Sequence, residues 1–191
     1  MKKAQETLIG FLMLVMIGLA IMTMVFGWAW PAIQKAQNMD EAMRLENRMI
    51  ELHNAVKKAA SEQGMLTVPF TIKKGMLYLD NNNSIVMKSF IDLPQVFQEQ
   101  TVFGNKTMLG VLGSDEPGYL LKRGAVEFEL HYINLNNTNT GKCYGIKLIS
   151  GNQGAAGRGE HTVFVKWVQE NSTTVAGCSS TIHEVVSINI E

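Results

Sequence analysis

From Leu8 to Gln34 the chain carries no charged residue. The stretch from Leu8 to Trp30 is apolar apart from Thr23 and three glycines, Gly10, Gly18 and Gly27. A helix over that stretch is about 34 Å long at roughly 1.5 Å per residue, enough to cross the hydrocarbon core of a bilayer. A cleavable secretory signal has a shorter apolar core of about 7–15 residues and then a small-residue cleavage site. This run instead ends in Trp28-Ala29-Trp30-Pro31. Indole rings favour the headgroup level, which suits Trp28 and Trp30, and Pro31 either kinks the helix or marks its exit from the bilayer. The segment therefore reads as a retained, single membrane span. Lys2 and Lys3 precede it against one acid, Glu6, so the positive-inside rule keeps the N-terminus cytoplasmic and exports the rest. Lys35 on the far flank makes that asymmetry small, and export needs support from the C-terminal part.

Residues 31–62 continue as an amphipathic stem. Apolar side chains recur at Ile33, Ala36, Met39, Met43, Leu45, Met49, Leu52, Val56 and Ala59, in steps of three and four that make one stripe. The opposite face carries Asp40, Glu41, Arg44, Glu46, Arg48, Glu51, Lys57 and Lys58. Acids and bases balance there, so this face is solvated and neutral. Gly64 is the expected helix stop. The stripe must lie against the C-terminal domain, neighbouring copies of the chain, or both.

After Gly64 the apolar period changes to two. Leu66–Ile72 reads as a strand that Pro69 confines to an edge. Lys73-Lys74-Gly75 turns, Met76–Leu79 returns, Asp80–Asn83 turns again, and Ile85–Phe90 follows. Val126, Phe128, Leu130 and Tyr132 alternate with Glu127, Glu129 and His131, the pattern of a half-buried strand. Tyr144–Ile149, Val163–Val168 and the terminal Val186, Ile188 and Ile190 add three more. About seven strands suggest an antiparallel sandwich or partial barrel. Residues 91–125 read as a loop with a short helix, and Gly151–Gly159 as a hairpin tip or crossover. The expected fold class is α+β: a short leader over 1–4, an apolar span over 5–30, a stem over 31–62 and a β-rich domain over 65–191.

Seventeen basic and seventeen acidic residues cancel, which removes the electrostatic footprint of a nucleic-acid binder. Cys143 and Cys178 both lie in the β-rich part, and in an exported domain they pair. Asn82, Asn105, Asn136 and Asn171 each begin an Asn-x-Ser/Thr acceptor pattern beyond the span, consistent with an exported, glycosylated surface, although Asn-rich turns explain several equally well. His53, His131, His161 and His183 are each solitary in sequence and assigned to polar faces, and none has ligand spacing to a cysteine, so no metal site or cofactor is expected. Glu127 and Glu129 share a strand face, the ordinary wet side of a strand. No HExxH, GxSxG or phosphate-loop motif occurs, and no catalytic residue is expected.

The first forty residues resemble those of archaeal type IV pilins and archaellins, whose precursors carry class III (prepilin-type) signal segments. The likeness rests on Lys2-Lys3-Ala4 before Gln5, on Gln5 with Thr7, and on Trp28-Ala29-Trp30-Pro31-Ala32-Ile33-Gln34-Lys35. It implies a cut between Ala4 and Gln5 by a prepilin peptidase. It also implies a lollipop layout and packing of the apolar helix against copies of itself or related pilins, handled by an assembly machinery. In the family an acid usually stands four residues after the new N-terminus. Here that place is Ile9, and the acid is Glu6. Gly10, Gly18, Ala20 and Gly27 are the small residues that permit close helix approach.

The sequence thus leads to a structural subunit of a surface filament, inserted in the cell membrane before assembly, with its C-terminal domain outside. A membrane-tethered binding or accessory module that never polymerises is the alternative. A signal-anchored surface enzyme is the third reading.

Overall fold

The computed structural model describes residues 2–91, 99–107, 109–124, 126–175, 178 and 180–191, with side chains from Gly10 onward. One helix, α1 (Lys2–Glu62), precedes the strands β1 (Met65–Ile72), β2 (Gly75–Asp80), β3 (Ser84–Ser89), β4 (Glu99–Phe103), β5 (Leu109–Val111) and β6 (Gly118–Arg123). The chain continues through β7 (Glu127–Tyr132), β8 (Asn134–Asn136), β9 (Lys142–Ser150), β10 (Ala155–Ala156), β11 (Gly159–Thr173) and β12 (Ser180–Ile190). This is the expected α+β layout with a mainly β C-terminal part. The chain divides into two compact units, Met1–Asp40 and Glu41–Glu191, and α1 contributes to both.

In the first unit every described side chain from Gly10 to Trp28 is exposed. Pro31 lies inside the helix rather than at its end. The helix therefore continues past the proline ring. Thr23 is the one hydroxyl in the apolar run. Its Oγ1 donates to the Leu19 carbonyl at 2.7 Å, so the polar group is satisfied within its own helix and adds little cost to an apolar environment.

In the second unit, α1 buries Ala42, Leu45, Met49, Leu52, Val56, Ala59 and Ala60. From Leu45 onward the stripe read from sequence coincides with the row buried in this unit, and before it the two part. Met43 is 56% exposed and its neighbour Ala42 is buried instead, while Ile33, Ala36 and Met39 are exposed. A step of three from Ala42 to Leu45 keeps the buried row on one side of the helix, whereas Met43 lies about 100° further round. Glu41, assigned to the wet face, is also buried, its Oε2 3.7 Å from Lys73 Nζ. The helix ends at Glu62, and its left-handed stop is Gln63 rather than Gly64: Gln63 takes φ +53°, and the Gly64 N–H donates to the Ala59 carbonyl at 3.2 Å, a Schellman closure.

The strands form two six-stranded sheets. One has the order β1-β11-β12-β9-β8-β5, the other β10-β2-β3-β7-β6-β4. Pro69 sits in β1, the edge strand that the sequence demands. The return from β1 to β2 is not a hairpin, because the two strands belong to different sheets. Gly75 makes that passage at φ +146°, where a Cβ would overlap the Lys88 carbonyl. The sheets are not purely antiparallel either: β12 runs parallel to β9, and β5 parallel to β8. Where a loop with a short helix was expected over 91–125, the described residues form β4, β5 and β6. Residues 92–98, 108 and 125 of that stretch lie outside the described set. The Gly151–Gly159 segment is a crossover, since β10 within it pairs with β2 of the opposite sheet.

One core joins these layers. Leu45, Met49, Leu52 and Val56 of α1 meet Val68, Phe70, Val163, Val165 and Ile188 of the first sheet and Leu77, Met87, Phe128 and Leu130 of the second. Alternation explains the sheet contribution: Phe128, Leu130 and Tyr132 are buried, and Glu127, Glu129 and His131 are half-exposed. Cys143 and Cys178 form a disulfide, with Cα atoms 5.7 Å apart. It fastens the chain just before β12 to the start of β9, where Thr181 and Cys143 lie side by side in the parallel ladder.

Candidate functional site

The residues singled out in the sequence fall into separate places. Ala4, Gln5 and Glu6 lie in α1, but their side chains are outside the described residues. Gly10, Gly18 and Gly27 have open space where a Cβ would stand, and Ala20 is exposed. Among the described residues nothing fills the gaps these small residues leave. Trp28 and Trp30 are exposed, 81% and 57%. The helix from Gly10 is long and apolar enough to cross a membrane, and it fits a single-pass anchor. The disulfide fits an extracellular domain.

The four acceptor patterns differ in presentation. Asn82 is exposed in the β2–β3 turn, and Asn171 is exposed on β11. Asn105 is exposed, but its Nδ2 donates to Asp115 Oδ1 at 3.2 Å. Asn136 is half-buried, and its Oδ1 is enclosed without a hydrogen-bond partner.

His53 departs from the sequence expectation. It faces inward from α1 and is 3% exposed, between Phe103 and Tyr132. Glu116 Oε2 stands 3.7 Å from its Nε2, and the same oxygen accepts from Lys57 Nζ at 2.7 Å. Burial lowers the His53 pKa below its ordinary value, against the smaller opposing pull of Glu116. The Lys57 ammonium, by its hydrogen bond, holds the Glu116 carboxyl below the usual carboxylate range. Beside this group lies a cavity of about 520 Å³ lined by Lys57, Ser61, Asp115, Glu116, Tyr144 and Glu184. Its carboxylates are already engaged: Glu116 by Lys57, Glu184 by the Trp167 indole at 2.6 Å, and Asp115 by the Val111 N–H at 2.7 Å.

A second polar constellation crosses the first sheet. Asn134 of β8, Gly145 of β9, His183 of β12 and Asn171 of β11 are register partners in one row. Gly145 leaves the row open. A Cβ there would overlap Asn134 Oδ1 and crowd the His183 ring, so the imidazole lies over β9 and reaches the amide beyond it. His183 Nε2 is 3.0 Å from Asn134 Oδ1, and Nδ1 is 3.1 Å from Thr173 Oγ1. An amide oxygen only accepts, so Nε2 carries the proton and Nδ1 accepts from the Thr173 hydroxyl. Burial, then the nearby Lys147 ammonium, lower the His183 pKa and favour this neutral tautomer. The sequence offered no sign of the row: Asn134 is far in the chain from Thr173 and His183, which lie on consecutive strands, and strand register unites them.

A hydroxyl that donates to a neutral imidazole, itself held by an amide, also resembles the orienting relay of an activated nucleophile. Acyl transfer further needs donors converging on an oxyanion next to that hydroxyl. Here the hydrogen bonds fix the ring, and the arrangement is first of all a rigid polar wall. Among the described residues no group of three or more His, Cys, Asp and Glu side chains is placed to hold a metal ion. Comparison with models of protein families, with curated proteins and with solved structures gives no significant match for this chain.

Proposed function

We propose that the protein is a pilin-like structural subunit of an archaeal type IV pilus-type surface filament, held in the cell membrane by α1 before assembly. The observation that carries this reading is the apolar helix itself. From Gly10 to Trp28 it is exposed on every side, with no charge and no packing partner among the described residues. Apolar surface on that scale must leave water, either into lipid or among other helices. Gly10, Gly18, Ala20 and Gly27 suit close helix packing, and the leader-like start implies processing between Ala4 and Gln5 by a prepilin peptidase. On this reading the second unit is extracellular and forms the outer surface of the filament.

Mass spectrometry of the native N-terminal peptide, together with negative-stain microscopy of sheared surface material, tests the proposal. A chain that begins at Gln5 and is found in filaments supports it. An intact Met1 or Lys2 start, found only in membranes, overturns it in favour of a tethered binding module that does not polymerise. The preorganised polar wall around His183 is the feature that favours this second reading.

A further inference from the structure

We propose that the cavity beside the His183 row binds an acidic saccharide, a hexuronate unit, through its carboxylate and ring hydroxyls. The inference does not rest on filament formation, because every group it uses belongs to the second unit.

The cavity has a volume of about 410 Å³ and opens between the β2–β3 turn, the β7–β8 junction and the strands β9, β11 and β12. Its walls are held in place before any ligand arrives. Asn83 takes φ +58° in the turn and ties both sheets together: its Nδ2 donates to the Ile146 carbonyl at 2.7 Å, and its Oδ1 accepts from the Leu148 N–H at 2.6 Å. Thr173, His183 and Asn134 are locked by the hydrogen bonds described above. Rigid polar walls lower the ordering cost of binding.

What these bonds leave over sets the ligand chemistry. Asn134 spends Oδ1 on His183 and keeps its Nδ2 donors. Asn81 and Lys147 line the same cavity with exposed side chains, and neither has a hydrogen-bond or ion-pair partner among the described residues. Apart from the enclosed Tyr132 hydroxyl, the unused side-chain groups are two amides and one ammonium, in which donors dominate and the single charge is positive. A ligand that answers them presents several acceptor oxygens and one negative charge. A carboxylate meets Lys147, and vicinal hydroxyls exchange hydrogen bonds with the amides, which can both donate and accept. Neutral Thr173 and His183 complete a lining suited to hydroxyl groups rather than to a dense anion such as phosphate, which calls for clustered bases.

The test uses the full chain in a detergent without a sugar headgroup. A disaccharide containing glucuronate is titrated against its neutral counterpart and against acetate, with binding read by calorimetry and by ligand-observed NMR. The expected result is saturable binding of the acidic disaccharide, with both controls at least about tenfold weaker. Lys147→Gln and Asn81→Ala change exposed side chains, so the fold is not at risk. Lys147→Gln is expected to weaken binding by roughly tenfold or more, the scale of one lost hydrogen bond to a charged group, and Asn81→Ala by roughly fivefold, the scale of a neutral one. Lack of saturable binding, equal binding of the neutral sugar or of acetate, or unchanged binding in both variants overturns the proposal. None of these outcomes bears on whether the chain forms filaments.

Discussion

The ring of His53 stacks on that of Tyr132, with centroids 5.7 Å apart, and neither the His53 nitrogens nor the Tyr132 hydroxyl has a hydrogen-bond partner. Two polar side chains, one on α1 and one on β7, thus meet inside an otherwise apolar contact. The neutral imidazole tolerates this position, but an imidazolium there would lose its hydration with only Glu116 nearby, a carboxylate already shared with Lys57.

That relationship makes stability depend on pH. The folded-state pKa of His53 is lowered and its unfolded value is the ordinary 6.5, so the unfolded chain binds more protons between the two. Stability is fully present above about pH 6.5 and is lost as pH falls from there through the depressed folded value. His183 is shifted in the same direction and adds to the slope. Thermal melts between about pH 7.5 and pH 5 are expected to show a falling midpoint, and His53→Phe to flatten it. A variant with the wild-type slope would show that His53 does not couple protons to folding.

The buried row on α1 separates two classes of methionine. Met49 is fully buried, and Met49→Ala is expected to cost about 2–5 kcal/mol by loss of apolar burial and creation of a cavity. Met43→Ala, on the open side of the same helix, is expected to stay within about 0.5 kcal/mol. Chemical denaturation of both variants measures the contrast. Equal losses would mean that the helix presents a different side to the core.

Reduction of the disulfide frees a loop with a sequence separation of 35. The chain-entropy model gives about 3–4 kcal/mol for a loop of that size. The double substitution Cys143→Ser with Cys178→Ser is expected to lower the melting midpoint by roughly 10 °C, at about 2–4 °C per kcal/mol. The β9–β12 ladder, which the disulfide anchors at one end, is where hydrogen exchange is expected to accelerate first.

A charge in the apolar run tests its need for lipid. Leu19→Arg places a guanidinium near the centre of the span, at a cost of about 2.5–3.5 kcal/mol or more. Fractionation is expected to show less of this variant in membranes than of wild type, whereas Glu51→Arg, on the exposed face of the second unit, is expected to leave the distribution unchanged.

Elements governed by local physics were readable from the order of residues. A charge-free apolar run of this length is long and apolar enough to cross a membrane, and that was legible without coordinates. Period-two alternation placed β7, β9, β11 and β12, and Pro69 marked β1 as an edge because its nitrogen cannot donate to a ladder. The disulfide was legible from two cysteines that both lie in the β-rich part.

Tertiary structure decided the rest, because the deciding contacts are between residues far apart in the chain. Ala42 rather than Met43 faces the core because helix rotation is set by what packs against it, not by side-chain size. His53 is buried because Phe103 and Tyr132 come to it from strands whose pairing no periodicity reveals. The separation of β1 and β2 into different sheets and the parallel β9–β12 pair follow from crossovers, which leave no local pattern. The His183 row is the clearest case: four strands in register, with a missing Cβ at Gly145, turn scattered asparagine, threonine and histidine residues into one wall.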